Sequence, residues 1–319
     1  MKESAWAIAG FSALALIALA VLAAGLFVVR HWAPDRSVDS LAPRWAPKPS
    51  QFIAIDGMQV HVRDEGPRDD LTPIVLLHGT GASLHTWDGW ASQLQLTRRV
   101  IRFDRPGFGL TGLDPSGRYD MARSADFTLR LLDRLGVQRF VIAGNSSGGR
   151  VAWHVALAAP QRVDRLVLLA AGGYPRRKPL PIGLRVAQSP LGGLMSKILP
   201  RAAVESGIRN MYGDPSKVSA MLVDRSYELT LRQGNRKALG ETLRQGDPAD
   251  SADIRSIRTP TLILWGERDS VIPLEDAAEY RKDIVGSKLV TFPKLGHLPQ
   301  EEDPEATVAA FTRWLQGKD

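Results

Sequence analysis

The sequence predicts an α/β fold built on a mostly parallel sheet. From Ile74 onward, short apolar runs alternate with segments of helical character, as a parallel sheet requires. One run, Phe140-Val141-Ile142-Ala143, reads as a buried strand. It ends in Gly144-Asn145-Ser146-Ser147-Gly148-Gly149 and passes straight into a helix-like segment, Val151 to Ala158.

The elements follow in chain order. Ala5 through Val29 holds no charged residue and is rich in Ala, Leu, Ile and Val. About 20 apolar residues suffice to cross a bilayer as a helix. A signal peptide has an apolar core of about 7 to 15 residues and a small-residue cleavage site. This run is longer and ends in Phe27-Val28-Val29-Arg30. Residues 1–30 therefore predict a single-pass transmembrane anchor in a bacterial-type inner membrane, with the lipid bilayer as partner. A cleaved signal peptide is the alternative. Arg30, Arg36, Arg44 and Lys48 follow the run and lean toward a cytoplasmic domain, but large domains translocate largely regardless of charge, so the face stays open. The chain has no cysteine, which suits either redox compartment.

Residues 31–50 contain Pro34, Pro43, Pro47 and Pro49 and predict a Pro-rich, helix-free linker. Residues 51–319 are the right length for one large α/β domain. Its strands are predicted at Gln51–Ile55, Met58–Asp64, Ile74–Leu77, Val100–Phe103, Phe140–Ala143, Leu166–Leu169, Leu262–Trp265 and Leu289–Phe292. The first two, joined through Asp56-Gly57, read as an edge hairpin. Between Leu169 and Thr261 the pattern is helical throughout.

The Gly144–Gly149 turn carries the chemistry. A serine caught in a sharp strand-to-helix turn has its hydroxyl exposed at the end of the sheet, and small neighbours give it room. A serine hydroxyl needs a base, an acid to orient that base, and donors for an oxyanion. Downstream, Leu262–Trp265 runs into Gly266-Glu267-Arg268-Asp269, and the last strand is followed by Gly296-His297. Upstream, Ile74–Leu77 runs into His78-Gly79-Thr80-Gly81.

With Phe103-Asp104-Arg105-Pro106-Gly107-Phe108-Gly109, these blocks resemble the α/β-hydrolase family over residues 51 to 317. The resemblance implies an α/β-hydrolase fold with an eight-stranded, mostly parallel sheet and a helical cap at about 174–250. It implies Ser146 as nucleophile, His297 as base and Asp269 as acid, with the backbone N–H groups of Thr80 and Ser147 as the oxyanion hole. Glu267 is the competing acid, less consistent with the G-x-x-D spacing. The remaining histidines carry no such role: His78 is expected to bond loop backbone, His61 to lie exposed on a strand, and His85 and His154 to be surface or packing residues. No two histidines share a metal-ligand spacing and no phosphate-binding loop is present, so neither metal nor cofactor is expected.

Met195, Leu199, Ile208, Met211, Tyr212, Met221, Leu222 and Leu229 are candidates for an apolar inner face of the cap. Its thirteen basic and seven acidic residues leave +6 of the chain's formal +7. A basic face beside an anchor suits anionic lipid headgroups. No nucleic-acid motif accompanies it. The leading expectation is a serine hydrolase of carboxylic esters with a small-molecule ester substrate. One alternative is a C–C bond hydrolase of dienoic ring-fission products, which Gly144-Asn145-Ser146 and the Met211–Tyr227 region resemble. That subgroup's tryptophan-bearing sequence after the histidine is absent, since Leu298-Pro299-Gln300-Glu301-Glu302 follows His297. A non-catalytic binding protein on the same scaffold is the third reading.

Overall fold

Eight strands among the described residues form one sheet: β1 (Gln51–Ile55), β2 (Met58–Glu65), β3 (Ile74–Leu77), β4 (Val100–Phe103), β5 (Phe140–Asn145), β6 (Val163–Leu169), β7 (Thr261–Gly266) and β8 (Lys288–Phe292). Their order is β1-β2-β4-β3-β5-β6-β7-β8. The computed structural model describes residues 2–180, 182–189, 192–195, 197–245 and 251–318; of residues 2–13, 182, 194 and 195 only the backbone is described. β1 and β2 pair antiparallel through Asp56 (φ 52°) and Gly57 (φ 76°), the two positive φ values that a primed hairpin turn needs. β2 joins β4 antiparallel, and every later pairing is parallel.

The central strands are apolar without interruption because both their faces are covered. On one face, Val75, Leu77, Ile101 and Ile142 pack with Phe127, Leu131, Trp153 and Val155. On the other, Ile74, Leu76, Val141 and Val167 pack with Trp87, Trp90 and Phe311. β6 begins at Val163, three residues before the predicted start, because the half-buried Asp164 and Arg165 interrupt its apolar run. The chain adds β4 on one side of β3 and then crosses to place β5 on the other. This reversal opens a crevice at the carboxyl ends of β3 and β5. Leu77 pairs with Gly144 there, so the turns after both strands flank one point.

A buried polar pin ties β2 to the turn after β4. His61 is fully buried, not exposed, and its Nδ1 lies 2.7 Å from Asp104 Oδ2. Asp104 also accepts from the backbone N–H groups of Leu84 (2.7 Å) and Leu110 (2.8 Å). Burial pushes the Asp104 carboxyl up, but the charge and hydrogen bond of His61 outweigh it and hold the group below the usual carboxylate range. A depressed folded value stabilises the fold above the unfolded carboxylate value of about 4, and that stability is lost as pH falls. Asp104→Asn should therefore cost about 3 to 5 kcal/mol at pH 7. Urea unfolding at pH 7 and pH 3 checks this, since the loss sets in only below the unfolded value, and the variant should lose less on acidification than the wild type.

The segment 31–50 differs from the helix-free linker its prolines predict. Val38–Trp45 is a helix with Pro43 inside it, capped by Ser37, whose Oγ accepts from Ser40 N–H at 3.3 Å. Leu41 and Trp45, one helical turn apart, bury against Leu110 and Leu229. Trp45 Nε1 donates to Glu228 Oε2 at 2.7 Å, and Arg44 pairs with Glu228 and Asp224, each at 2.9 Å. Tertiary burial and these pairs override the proline. The segment is a docked strap.

The single-pass inner-membrane anchor is likewise corrected. Among the described residues, no helix is long and apolar enough to cross a membrane. A helix runs from Lys2 to Arg30, but its described side chains begin at Leu14. The earlier part of the predicted run, Ala5 to Ala13, lies outside the described side chains.

Between β6 and β7 the described residues hold the helices Ile182–Gln188, Gly192–Met195, Arg201–Met211, Ala220–Thr230, Asn235–Gln245 and Ser251–Ile254, and no strand. Ile208, Tyr212 and Leu222 cluster with Leu298. Leu229 packs on the strap, Met221 is exposed, and the Met195 side chain lies outside the described residues. Part of the positive charge of this region is paired. Arg177 meets Asp276, Arg201 meets Asp224, Arg209 meets Glu205, Arg225 meets Glu301 and Arg236 meets Asp35.

Candidate active site

Ser146 sits at the crevice, between β5 and the helix Ser147–Ala158, with φ 56° and ψ −124°. A non-glycine residue holds such a conformation only where its surroundings fix it. Ser146 N–H donates to Leu169 O at 3.0 Å, and its carbonyl accepts from Gly172 N–H at 3.0 Å and Arg150 N–H at 3.2 Å. The turn is tight enough to demand glycine at two places. A Cβ on Gly144 would stand 2.2 Å from Gly148 O, and one on Gly148 would stand 2.4 Å from Leu77 O.

His297 follows β8 and is buried. Its Nδ1 lies 2.8 Å from Asp269 Oδ2. Asp269 Oδ1 accepts from Val271 N–H at 2.7 Å and Ile272 N–H at 2.9 Å, so one carboxylate oxygen is fixed by backbone and the other by the imidazole. Glu267, the competing acid, is exposed and accepts from Thr291 Oγ1 at 2.8 Å. Asn145, beside Ser146, donates from Nδ2 to His297 O at 3.0 Å, which brings the serine turn and the histidine loop together.

The helical region after β6 is stitched to that loop. His297 N–H donates to Met211 O at 2.7 Å. The Glu302 carboxylate gathers the N–H groups of Gly213 (3.0 Å), Asp214 (2.7 Å) and Gly296 (2.8 Å). Sequence reasoning passed over Glu302. Its only local signal is an acidic residue five positions after the histidine, and its partners at 213 and 214 are distant in sequence. A surface cavity of about 470 Å³ beside these contacts is lined by Gly213, Asp214, Pro215, Lys217, Arg268 and Lys294 and contains none of Ser146, Asp269 and His297.

The loop after β3 folds as a turn in which Ala82 N–H donates to Gly79 O at 3.3 Å and Gly81 has φ 73°. That turn leaves the Thr80 N–H outside its own bond. Gly79 approaches the serine closely: a Cβ there would lie 3.1 Å from Ser146 Cβ. Ser147 opens its helix, where the first N–H groups have no intrahelical acceptor. Thr80 Oγ1 donates to Ser147 Oγ at 2.9 Å, so the two candidate oxyanion residues touch.

His78 bonds loop backbone as the sequence suggests. Its Nε2 accepts from Arg105 N–H at 2.9 Å, which puts its own proton on Nδ1, 2.8 Å from Gly79 O. Burial, and secondarily the Arg105 charge, push its pKa down to about 4, so the ring is neutral at pH 7. His85 is buried, with Nε2 2.8 Å from Trp45 O, and burial lowers it to about 4 as well. A second Ser-His-Asp contact exists at Ser50, His61 and Asp104, with Ser50 Oγ 2.9 Å from His61 Nε2. That Oγ also accepts from Arg63 Nε at 2.9 Å, and Ser50 lies on no strained turn or helix N-terminus. It is part of the structural pin.

Comparison with known proteins agrees with this architecture. The family model for the α/β hydrolases matches residues 74–310. A 2-hydroxymuconate semialdehyde hydrolase of Pseudomonas putida is 30% identical over 289 residues, covering 87% of this chain and 98% of that protein. The crystal structure of a meta-cleavage product hydrolase from Pseudomonas fluorescens IP01 superposes with a TM-score of 0.73 at 26% identity, covering 84% of this chain and 98% of its own. A bacterial membrane phospholipase A shares the fold, with a TM-score of 0.73 at 23% identity over 100% of this chain and 99% of its own. By the extent of that family match and the identity to a full-length relative, the chain belongs to the α/β hydrolase family.

Proposed function

We propose that the chain is a nucleophilic serine hydrolase in which Ser146 attacks, His297 takes and returns the proton, and Asp269 orients His297. The observation that carries this reading is the strained Ser146 turn at the sheet's switch point, facing a loop whose histidine is held by a buried carboxylate. Ser146 Oγ adds to a carbonyl carbon and its proton passes to His297 Nε2. Asp269 accepts the Nδ1–H and stabilises the imidazolium. The developing oxyanion is met by the N–H groups of Ser147 and Thr80. His297 then protonates the leaving group, and water hydrolyses the acyl-enzyme by the reverse proton path. The described helices between β6 and β7 serve as a cap, fixed to the His297 loop through Met211 and Glu302.

Of the bonds such a site cleaves, the C–C bond of a dienoic ring-fission product is the reading that the relatives favour. One feature of this chain favours esters instead. His297 is followed by Leu298-Pro299-Gln300-Glu301-Glu302, without the tryptophan-bearing sequence of the C–C hydrolase subgroup. A paired assay separates the two. Purified protein is given 2-hydroxy-6-oxo-hepta-2,4-dienoate and a p-nitrophenyl ester series. The C–C reading expects kcat/KM for the dienoate to exceed that of the best ester by about tenfold or more, since specificity is the ratio of these constants. The opposite ratio assigns the chain to ester hydrolysis.

A further inference from the structure

Arg105 lies in the turn after β4 and is buried, yet both acceptors of its guanidinium are neutral oxygens. Among the described residues it has no ion-pair partner. A buried cation without a carboxylate is costly, so its retention calls for a reason. Its contacts supply one. A single nitrogen, Nη1, donates to His78 O at 2.7 Å and to Ser147 Oγ at 3.0 Å. The first acceptor belongs to the loop carrying Thr80, and the second to the residue after Ser146. The Arg105 backbone N–H also fixes His78 Nε2. Ser147 Oγ accepts from Thr80 Oγ1 as well, so one guanidinium spans both sides of the crevice.

Resting on the site reading above, we propose that Arg105 is a positioning residue for the oxyanion hole. It braces the His78–Gly81 loop against the start of the Ser147 helix and sets the separation of the Thr80 and Ser147 N–H groups. It also holds a positive charge on the side where negative charge develops. It does not touch the reacting atoms itself. A brace of this kind acts in the transition state, so its loss lowers kcat rather than raising KM.

The test compares Arg105→Met, Arg105→Lys and Ser147→Ala with the wild type, using kcat, KM and the rate of fluorophosphonate labelling. Loss of one oxyanion contact costs about 10²-fold in rate elsewhere. Arg105→Met should lose about 10²-fold in kcat with KM nearly unchanged, and labelling should slow in parallel. Arg105→Lys should recover most of kcat. Ser147→Ala severs the same brace while leaving the bond to His78, and it should lower kcat even if Arg105→Met does not fold. Combining Arg105→Met with Ser147→Ala should lose less than the two losses multiplied, because both break one unit. Full kcat in a folded Arg105→Met or Ser147→Ala, or a loss confined to KM, would overturn the proposal while leaving the Ser146 reading intact. Full activity in Ser146→Ala would instead remove the site reading, and the brace with it.

Discussion

Ser146→Ala should lose about 10⁶-fold in kcat while folding like the wild type, as loss of a nucleophilic serine does in a comparable site. The substitution removes one oxygen from a half-buried residue. The backbone bonds that fix the turn, from Ser146 N–H to Leu169 O and from Gly172 N–H to Ser146 O, do not involve the side chain. Residual turnover should come from the oxyanion donors and substrate binding alone, which makes the loss large but not absolute. Steady-state kinetics and a thermal melt of the same preparation separate chemistry from stability.

Asp269→Asn should lose about 10⁴-fold. Asparagine keeps an oxygen for Val271 N–H and Ile272 N–H, so the loop should hold. Its amide, however, presents N–H donors where His297 Nδ1 now faces a carboxylate oxygen at 2.8 Å. The imidazole then settles in the wrong tautomer and no longer accepts the serine proton. Glu267→Gln should leave kcat within about twofold, since the group is exposed and surface changes of this kind have small effects. The reverse pattern, with Glu267→Gln inactive and Asp269→Asn active, would transfer the acid role to Glu267.

The sheet was legible because its central strands are buried on both faces and read as unbroken apolar runs. β3 and β4 coincide with their predicted bounds, and β5 extends only into its glycine turn. The candidate site was legible because sharp turns demand glycine, and glycine is visible in sequence. What stayed hidden depends on contacts between distant residues. His61 sits on a strand whose alternation suggested exposure, but Asp104 and Ser50 meet it from other segments. The strap helix contradicts Pro43 because Glu228 and Leu229 hold it from far along the chain. Arg105 lies inside a turn motif that identifies the turn and says nothing of where its side chain goes. The N-terminal run shows the opposite failure. Its apolar composition suggested a membrane span, but among the described residues no helix is long and apolar enough to make one.

The most direct measurement of the central claim is mass mapping of a fluorophosphonate adduct on the wild-type protein. A nucleophile activated by His297 should react stoichiometrically, lose hydrolytic activity in step with labelling, and carry the adduct on the peptide containing Ser146. An adduct on Ser147, on Ser50 or on no residue, with hydrolysis intact, would contradict the account.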